Sequence, residues 1–190
     1  MVGIKTSMTL CMAITLFSGC GSSKIYKQSA INCKPYNAPK LNETTKSKYL
    51  NAINTLRSQG RSCGSAGYFS VAPALRWNDS LYRASYEHSR DMMKSNSFSH
   101  KGSQSTFDWT SNVQGLYGGS SFKDRIKNNG YTKWKNIAEN IAMGSSTVNQ
   151  VMDQWISSDG HCANIMNPLF TDVGMARVND FWTQNFSAYQ

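Results

Sequence analysis

The stretch WISSDGHCANIMNP, residues 155–168, decides how this chain is read. Ahead of it, Val148, Val151, Met152, Trp155 and Ile156 recur at helical spacing, so an amphipathic helix runs into the stretch and ends at Asp159-Gly160. His161 then falls in a Gly-His-Cys turn, with Gly160 allowing a tight exit from the helix. The chain has only three histidines. Either His161 is a polar residue that happens to lie in a loop, or it is aimed at a partner brought from elsewhere.

Few residues can join it. His88 lies on the apolar face of a helix with Leu81, Ala84, Ser85 and Met92, and reads as a core-packing histidine. His100, like His161, sits just past a helix in a polar loop, where sites are commonly built. Glu139 interrupts the apolar run NIAENIA, and a carboxylate there is costly to bury without a partner. Two imidazoles and one acid suit a divalent metal such as zinc, through neutral ring nitrogens. They suit general acid–base chemistry equally. Spacing alone favours neither over plain structural roles, because the three are far apart and no HExxH occurs. Nucleophilic catalysis is weaker: Ser157 and Ser158 lie near His161 without a Gly-x-Ser-x-Gly elbow, and Cys162 in an exported chain suits a disulfide better than a thiolate.

Along the chain, Thr44 or Thr45 can cap a first helix carrying Tyr49, Leu50, Ile53 and Leu56, which Gly60 ends. ALRWN is a short extended piece, and Asn78 or Asp79 caps the helix of His88, which stops near Ser95 and Asn96. Residues 101–121 form a long Gly/Ser-rich connection, functional or mobile. FKDRIKNNGY is a short helix closed by Gly130, and NIAENIAMG is ambiguous between strand and helical turn. TDVGMARV and DFWTQNFSAY, joined at Asn179-Asp180, form an antiparallel hairpin. The sum is one α+β domain, helices first and strands late.

The first 19 residues read as a signal peptide: Lys5, then the apolar run 8–17, then small Ser18 and Gly19. The run is shorter than the roughly 20 apolar residues of a membrane span. LFSGC resembles a bacterial lipobox, with Phe17 in place of the usual leucine, and implies lipidation at Cys20. The alternative is an ordinary cleaved signal leaving Cys20 a plain thiol. Gly21 after it implies outer-membrane sorting if the cell is Gram-negative. Residues 20–43, with Pro35 and Pro39, read as a tether, and the domain as 44–190. Of five cysteines, Cys11 leaves with the signal. In an oxidising compartment one disulfide and one remaining thiol are expected from Cys33, Cys63 and Cys162. The sequence does not fix the pairing; Cys63 and Cys162 lie in the folded part and Cys33 in the tether, which favours Cys63–Cys162. The net charge of +9 suits solubility or anionic lipid and wall surfaces. Its scattered Lys and Arg residues match no nucleic-acid recognition motif.

FSH, AENIA, WISSDGHCANIM followed by FTDVG, and WTQNF stand in the order seen in bacterial members of the CAP superfamily. That group holds cysteine-rich secretory proteins, venom antigens and pathogenesis-related proteins. LYRASYEHSRDMMKSNSFSH also resembles the family's second helix leading to its first histidine. The resemblance runs from about Thr44 to Tyr189. It implies an α-β-α sandwich with a central antiparallel sheet, and a cleft whose histidines, His100 and His161, hold zinc or another divalent cation. Glu139 matches the first cleft glutamate. Ser158 stands where eukaryotic members carry a second, so the proposed hydrolytic tetrad is a triad here. The resemblance also supports Cys63–Cys162. Asn164 and Asn140 can supply further hydrogen bonds, as supports or as plain structural caps.

Three functions compete on this reading. One is an anchored envelope module, expected as a monomer, binding a metal and a lipid, wall fragment or peptide. The second is a metal-assisted hydrolase with Glu139 as base. The third is an adhesion or scaffold domain without an active cleft.

Overall fold

The computed structural model describes residues 33–189. The signal peptide, the lipidation at Cys20 and the first part of the tether lie outside the described residues. Helix α1 spans Glu43–Arg57, α2 Asp79–Ser95, α3 Trp109–Gln114, α4 Phe122–Asn128, α5 Val148–Ile156 and α6 Asp159–Met166. Strands β1 (Arg61–Ser62) and β2 (Tyr68–Phe69) pair as a small hairpin. The main sheet holds β3 (Arg76–Trp77), β4 (Trp134–Met143), β5 (Asp172–Val178) and β6 (Phe181–Tyr189), in the order β3-β5-β6-β4. Its three long strands are antiparallel, and the two-residue β3 adds to one edge in parallel with β5. The sheet is therefore mixed at that edge, while β4 forms the other edge.

Polar side chains set the helix starts. Asn42, not Thr44 or Thr45, caps α1 by accepting from the Thr45 amide at 2.8 Å. Asn78 caps α2, and Ser121 and Thr147 open α4 and α5 with reciprocal capping boxes. α1 ends at Arg57, ahead of Gly60. NIAENIAM is strand throughout, its alternating side chains divided between the two faces of the sheet.

The two sides of the sheet differ in chemistry. One buries Val173, Met175, Trp182 and Phe186 under α1, α5 and α6, with Ile53, Val151, Trp155 and Ile165. On the other, β6 presents Thr183, Asn185 and Ser187, all buried, to α2. Alternation alone would have turned that face to solvent. Instead α2 meets it with hydroxyls: Ser85 donates to Gly174 O at 3.0 Å, Asn185 donates to Ser85 Oγ at 2.9 Å, and Ser89 bonds Thr183 at 2.9 Å. Gly174 permits this approach, since a Cβ there would lie 2.1 Å from the Tyr82 nitrogen.

The connection 101–121 is not structureless. It contains α3 and is held by buried carboxylates: Asp91 accepts from the Ser103 amide at 2.8 Å, Asp108 from the Ser120 amide at 2.9 Å, and Glu87 from the Thr110 amide at 2.8 Å. Residues 33–42 also lie against the domain. Lys34 and Tyr36 amides donate to Asn128 and Asn129 at 3.0 and 2.8 Å, and Tyr82 donates to Pro39 O at 2.7 Å. A disulfide joins Cys63 to Cys162, as expected. It closes a loop of 99 residues, a span over which a crosslink typically stabilises by about 2–5 kcal/mol.

Candidate functional site

The site is built along β4, an edge strand of the main sheet. Glu139 and Asn140 are adjacent on this strand and so point to opposite faces. Glu139 turns towards α2 and α4. Asn140 turns towards α6.

Glu139 is buried, with 1 % of its side chain exposed, and it is not alone. Arg125 on α4, equally buried, places one guanidinium nitrogen 3.1 and 3.0 Å from the two carboxylate oxygens. His100 donates from Nδ1 to Glu139 Oε1 at 3.0 Å. Burial alone would raise the Glu139 pKa; the positive charge of Arg125, with the His100 and Arg125 hydrogen bonds, pulls it down to about 2. The carboxylate is thus ionised and can only accept, which assigns the proton to His100 Nδ1. Nε2 of that ring makes no hydrogen bond among the described residues, and the side chain is 53 % exposed.

The backbone around His100 is held as firmly as its ring. Arg125 donates to His100 O at 2.9 Å. His88, a fully buried residue as its helix position predicts, lies 2.8 Å from Ser99 O through Nε2, which must carry the proton to donate to a carbonyl. Burial and then the nearby Arg125 charge lower the His88 pKa to about 3, so the ring is neutral. His88 therefore has a positioning task beyond core packing.

His161 does not sit in a turn. A second helix, α6, begins at Asp159, and His161 lies in its first turn. Gly160 has no unusual backbone angle and a Cβ on it would meet nothing, so the tight exit expected of it is not made. The position of α6 is fixed instead by the disulfide at Cys162 and by Asp159, which accepts from Ser65 N at 2.8 Å. Asn140 donates to His161 O at 3.2 Å and accepts from Asn164 at 2.9 Å, so both asparagines support this helix. The His161 ring is half-buried and makes no hydrogen bond among the described residues. Burial lowers its pKa, and His100 lowers it further.

The three residues singled out in the sequence thus meet unequally. His100 and Glu139 are in contact, and His161 makes no hydrogen bond or ion pair with either. Among the described residues, no group of three or more His, Cys, Asp or Glu side chains is arranged to hold a metal ion. The donor set does not fit a three-ligand site. Glu139 fits the place behind His100, as the carboxylate that orients a ligand ring. Arg125 escaped the sequence reading. Its signal was available: in FKDRIKNN it occupies the apolar face beside Phe122 and Ile126, where a cation needs a buried acid.

The family model of the cysteine-rich secretory protein family, CAP, matches residues 50–186, and the chain belongs to that family. It is 34 % identical over 114 residues to YkwD of Bacillus subtilis (strain 168), covering 59 % of this chain and 38 % of that protein. It is 30 % identical over 112 residues to YlbC of the same organism, described as a membrane protein, covering 59 % and 28 %. The chain thus spans well under half the length of these curated relatives. Among solved structures, an extracellular SCP-domain protein of Bacillus anthracis superposes with a TM-score of 0.55 at 22 % identity, over 82 % of this chain and 48 % of that one. An outer surface protein of Borrelia burgdorferi gives 0.58 at 18 % identity, over 80 % and 97 %. At such identities the likeness is one of fold.

The buried groups predict an unusual stability profile. Burial raises Glu87 to about 7, against opposing hydrogen bonds from Thr110 and Asn129. Folded Glu87 therefore takes up a proton that the unfolded chain does not hold, and stability gains as pH falls from about 7 to the ordinary 4.5. His88, lowered from 6.5 to about 3, does the reverse: the unfolded chain takes the proton, and stability is lost as pH falls. The two offset each other between 6.5 and 4.5. Below 4.5 the loss at His88 continues, and Glu139 adds its own as pH falls towards 2. Urea titrations should show stability nearly level from 6.5 to 4.5 and falling below, whereas Glu87→Gln should decline from 6.5 onward. Superimposable profiles for the two proteins would contradict this assignment.

Proposed function

We propose that the chain is an exported, lipid-anchored envelope protein whose CAP domain is a binding module rather than a hydrolase run by Glu139. Its cleft takes up a divalent cation, zinc by donor chemistry, through His100 Nε2 and the His161 ring. The observation that carries this reading is the Arg125–Glu139–His100 arrangement. A carboxylate held near 2 and bonded to a buried guanidinium is a poor proton acceptor at neutral pH, so it is ill suited to serve as a general base. The same carboxylate is well placed to lock the His100 ring with Nε2 outward. A bound cation would supply Lewis acidity and a fixed positive charge at the cleft. His100 and His161 would hold it as neutral imidazoles, and the depressed pKa of His161 favours that form. Lipids, wall fragments and peptides with an exposed anionic group suit such a surface.

Export and anchoring rest on the leader and on the LFSGC stretch. They agree with relatives described as extracellular and outer surface proteins. No helix among the described residues is long and apolar enough to cross a membrane.

Calorimetric zinc titration tests the cleft. His100→Ala and His161→Ala are each expected to remove binding, and Glu139→Gln to weaken it roughly 10–100-fold through loss of ring orientation. Affinity should also fall as pH drops through the imidazole range, because protons compete for the ring nitrogens. Binding that survives both histidine variants would sink the proposal, and a hydrolytic activity lost in Glu139→Gln would revive the enzyme reading. For the anchor, Cys20→Ser should move the protein from the membrane fraction to the soluble one. Unchanged detergent partitioning would argue for an ordinary signal peptide.

A further inference from the structure

At the other end of the same strands lies a second recess, independent of the histidine cleft. Tyr189 pairs with Trp134 where β4 begins, five residues before Glu139, about 17 Å along the strand. There an open cavity of about 570 Å³ is lined by Arg76, Ser80, Tyr131, Lys133, Asp172 and Tyr189, among others. That volume falls in the range of small-ligand sites.

Its charges are unequally committed. Asp172 accepts from Tyr131 O–H at 3.0 Å and from Thr171 O–H at 2.8 Å, and pairs with Arg76 at 3.3 Å. The acid is thereby satisfied. Arg76 keeps 73 % of its side chain exposed, with other guanidinium donors available. Lys133 is exposed and makes no ion pair among the described residues. The Ser80 hydroxyl accepts from Arg83 at 2.9 Å, which brings a third cation behind the wall and frees the Ser80 proton to donate into the recess. The first turn of α2 is capped by Asn78, which accepts from the Ser80 and Leu81 amides at 2.9 and 3.2 Å. Its other acid, Asp79, is taken up by Lys46 at 3.3 Å and by Trp77 Nε1 at 2.9 Å. The opposite wall is aromatic: Tyr189 stands edge-on to Tyr131 at 6.1 Å and is 55 % exposed, leaving ring surface open.

We propose that this recess binds an anionic saccharide, its oxyanion held by Lys133, Arg76 and the Ser80 hydroxyl and its ring laid against Tyr189. Lys133 supplies charge that no acid among the described residues neutralises, Arg76 keeps exposed guanidinium donors beyond the one that meets Asp172, and the aromatic wall supplies a flat apolar surface for the C–H face of a sugar. The oxyanion is a carboxylate, as in a uronic acid, or a phosphate, as in a sugar phosphate.

Chemical-shift mapping on the full-length protein with three probes tests this: glucuronic acid, N-acetylglucosamine 6-phosphate and uncharged N-acetylglucosamine. One or both anionic sugars should shift resonances of Ser80, Lys133 and Tyr189, and the one that binds identifies the oxyanion. Lys133→Ala and Arg76→Gln should each weaken binding roughly tenfold, as for one charge-assisted hydrogen bond. Raising the salt from low to near-molar should weaken it further. Both variants are at the surface, so unchanged thermal melts will separate lost contacts from lost fold. His100→Ala should bind as the parent does, which keeps this result separate from the fate of the metal cleft. No shifts from either anionic sugar at millimolar concentration, equal binding of the uncharged one, full affinity in both cation variants, or loss of binding in His100→Ala would each overturn the proposal.

Discussion

The guanidinium of Arg125 is the counter-charge without which Glu139 has no place in the interior. A lone ionised carboxylate at that depth would be too costly, and removal of one partner from such a buried pair typically destabilises by about 3–5 kcal/mol. Arg125 does more than neutralise. It donates to Ser120 O at 2.9 Å, to His100 O at 2.9 Å and to both oxygens of Glu139. One side chain thus fastens α4, the loop after α2 and the edge strand β4 to each other. The ordered His100 ring follows from that fastening.

Strand β4 carries the same logic across the sheet. Its Glu139 reaches the α2 layer and its Asn140 reaches α6, so adjacent residues brace the two histidines from opposite faces. The faces are not equivalent. The α6 side is an apolar core of Trp155, Ile165, Met175 and Phe186. The α2 side is a buried polar layer, where His88, Ser85, Ser89, Asn185 and Thr183 are as fully buried as the apolar core but joined by directional bonds. Such a layer gives less transfer free energy than an apolar one, yet it fixes direction, and direction is what a ligand ring needs. His88 Nδ1, Asn185 Oδ1 and Arg125 Nε are buried there without a hydrogen-bond partner among the described residues. The layer is therefore close to, but short of, full satisfaction.

Much of this was legible in the sequence, for reasons that can be named. The hairpin of β5 and β6, the cap at Asn78, the Cys63–Cys162 bond and the family assignment all rest on local patterns or on motifs in register. Glu139 was found because a polar residue in an apolar run needs a partner, and His100 because it stands in a polar loop just past a helix. The partner itself was missed, since Arg125 lies 14 residues from Glu139, in a different element. The helical setting of His161 was missed because Ser157-Ser158-Asp159-Gly160 reads as a terminator, yet Ser158 and Asp159 start a new helix. The stretch 101–121 looked loose from composition alone. Its order comes from Glu87 and Asp91 on the preceding helix and from Asp108 within the stretch itself, and composition does not announce those bonds.

The central claim is that an ionised Glu139, held by Arg125, fixes His100 with its proton on Nδ1 and its Nε2 lone pair facing outward. Long-range ¹H–¹⁵N correlation spectra of the histidine side chains at neutral pH read this directly. The account predicts that His100 is in the Nδ1–H tautomer, with an unprotonated Nε2, and that Glu139→Gln relaxes it towards the mixture of a free imidazole. A predominantly Nε2–H His100 in the parent protein, or spectra unchanged by Glu139→Gln, would contradict it.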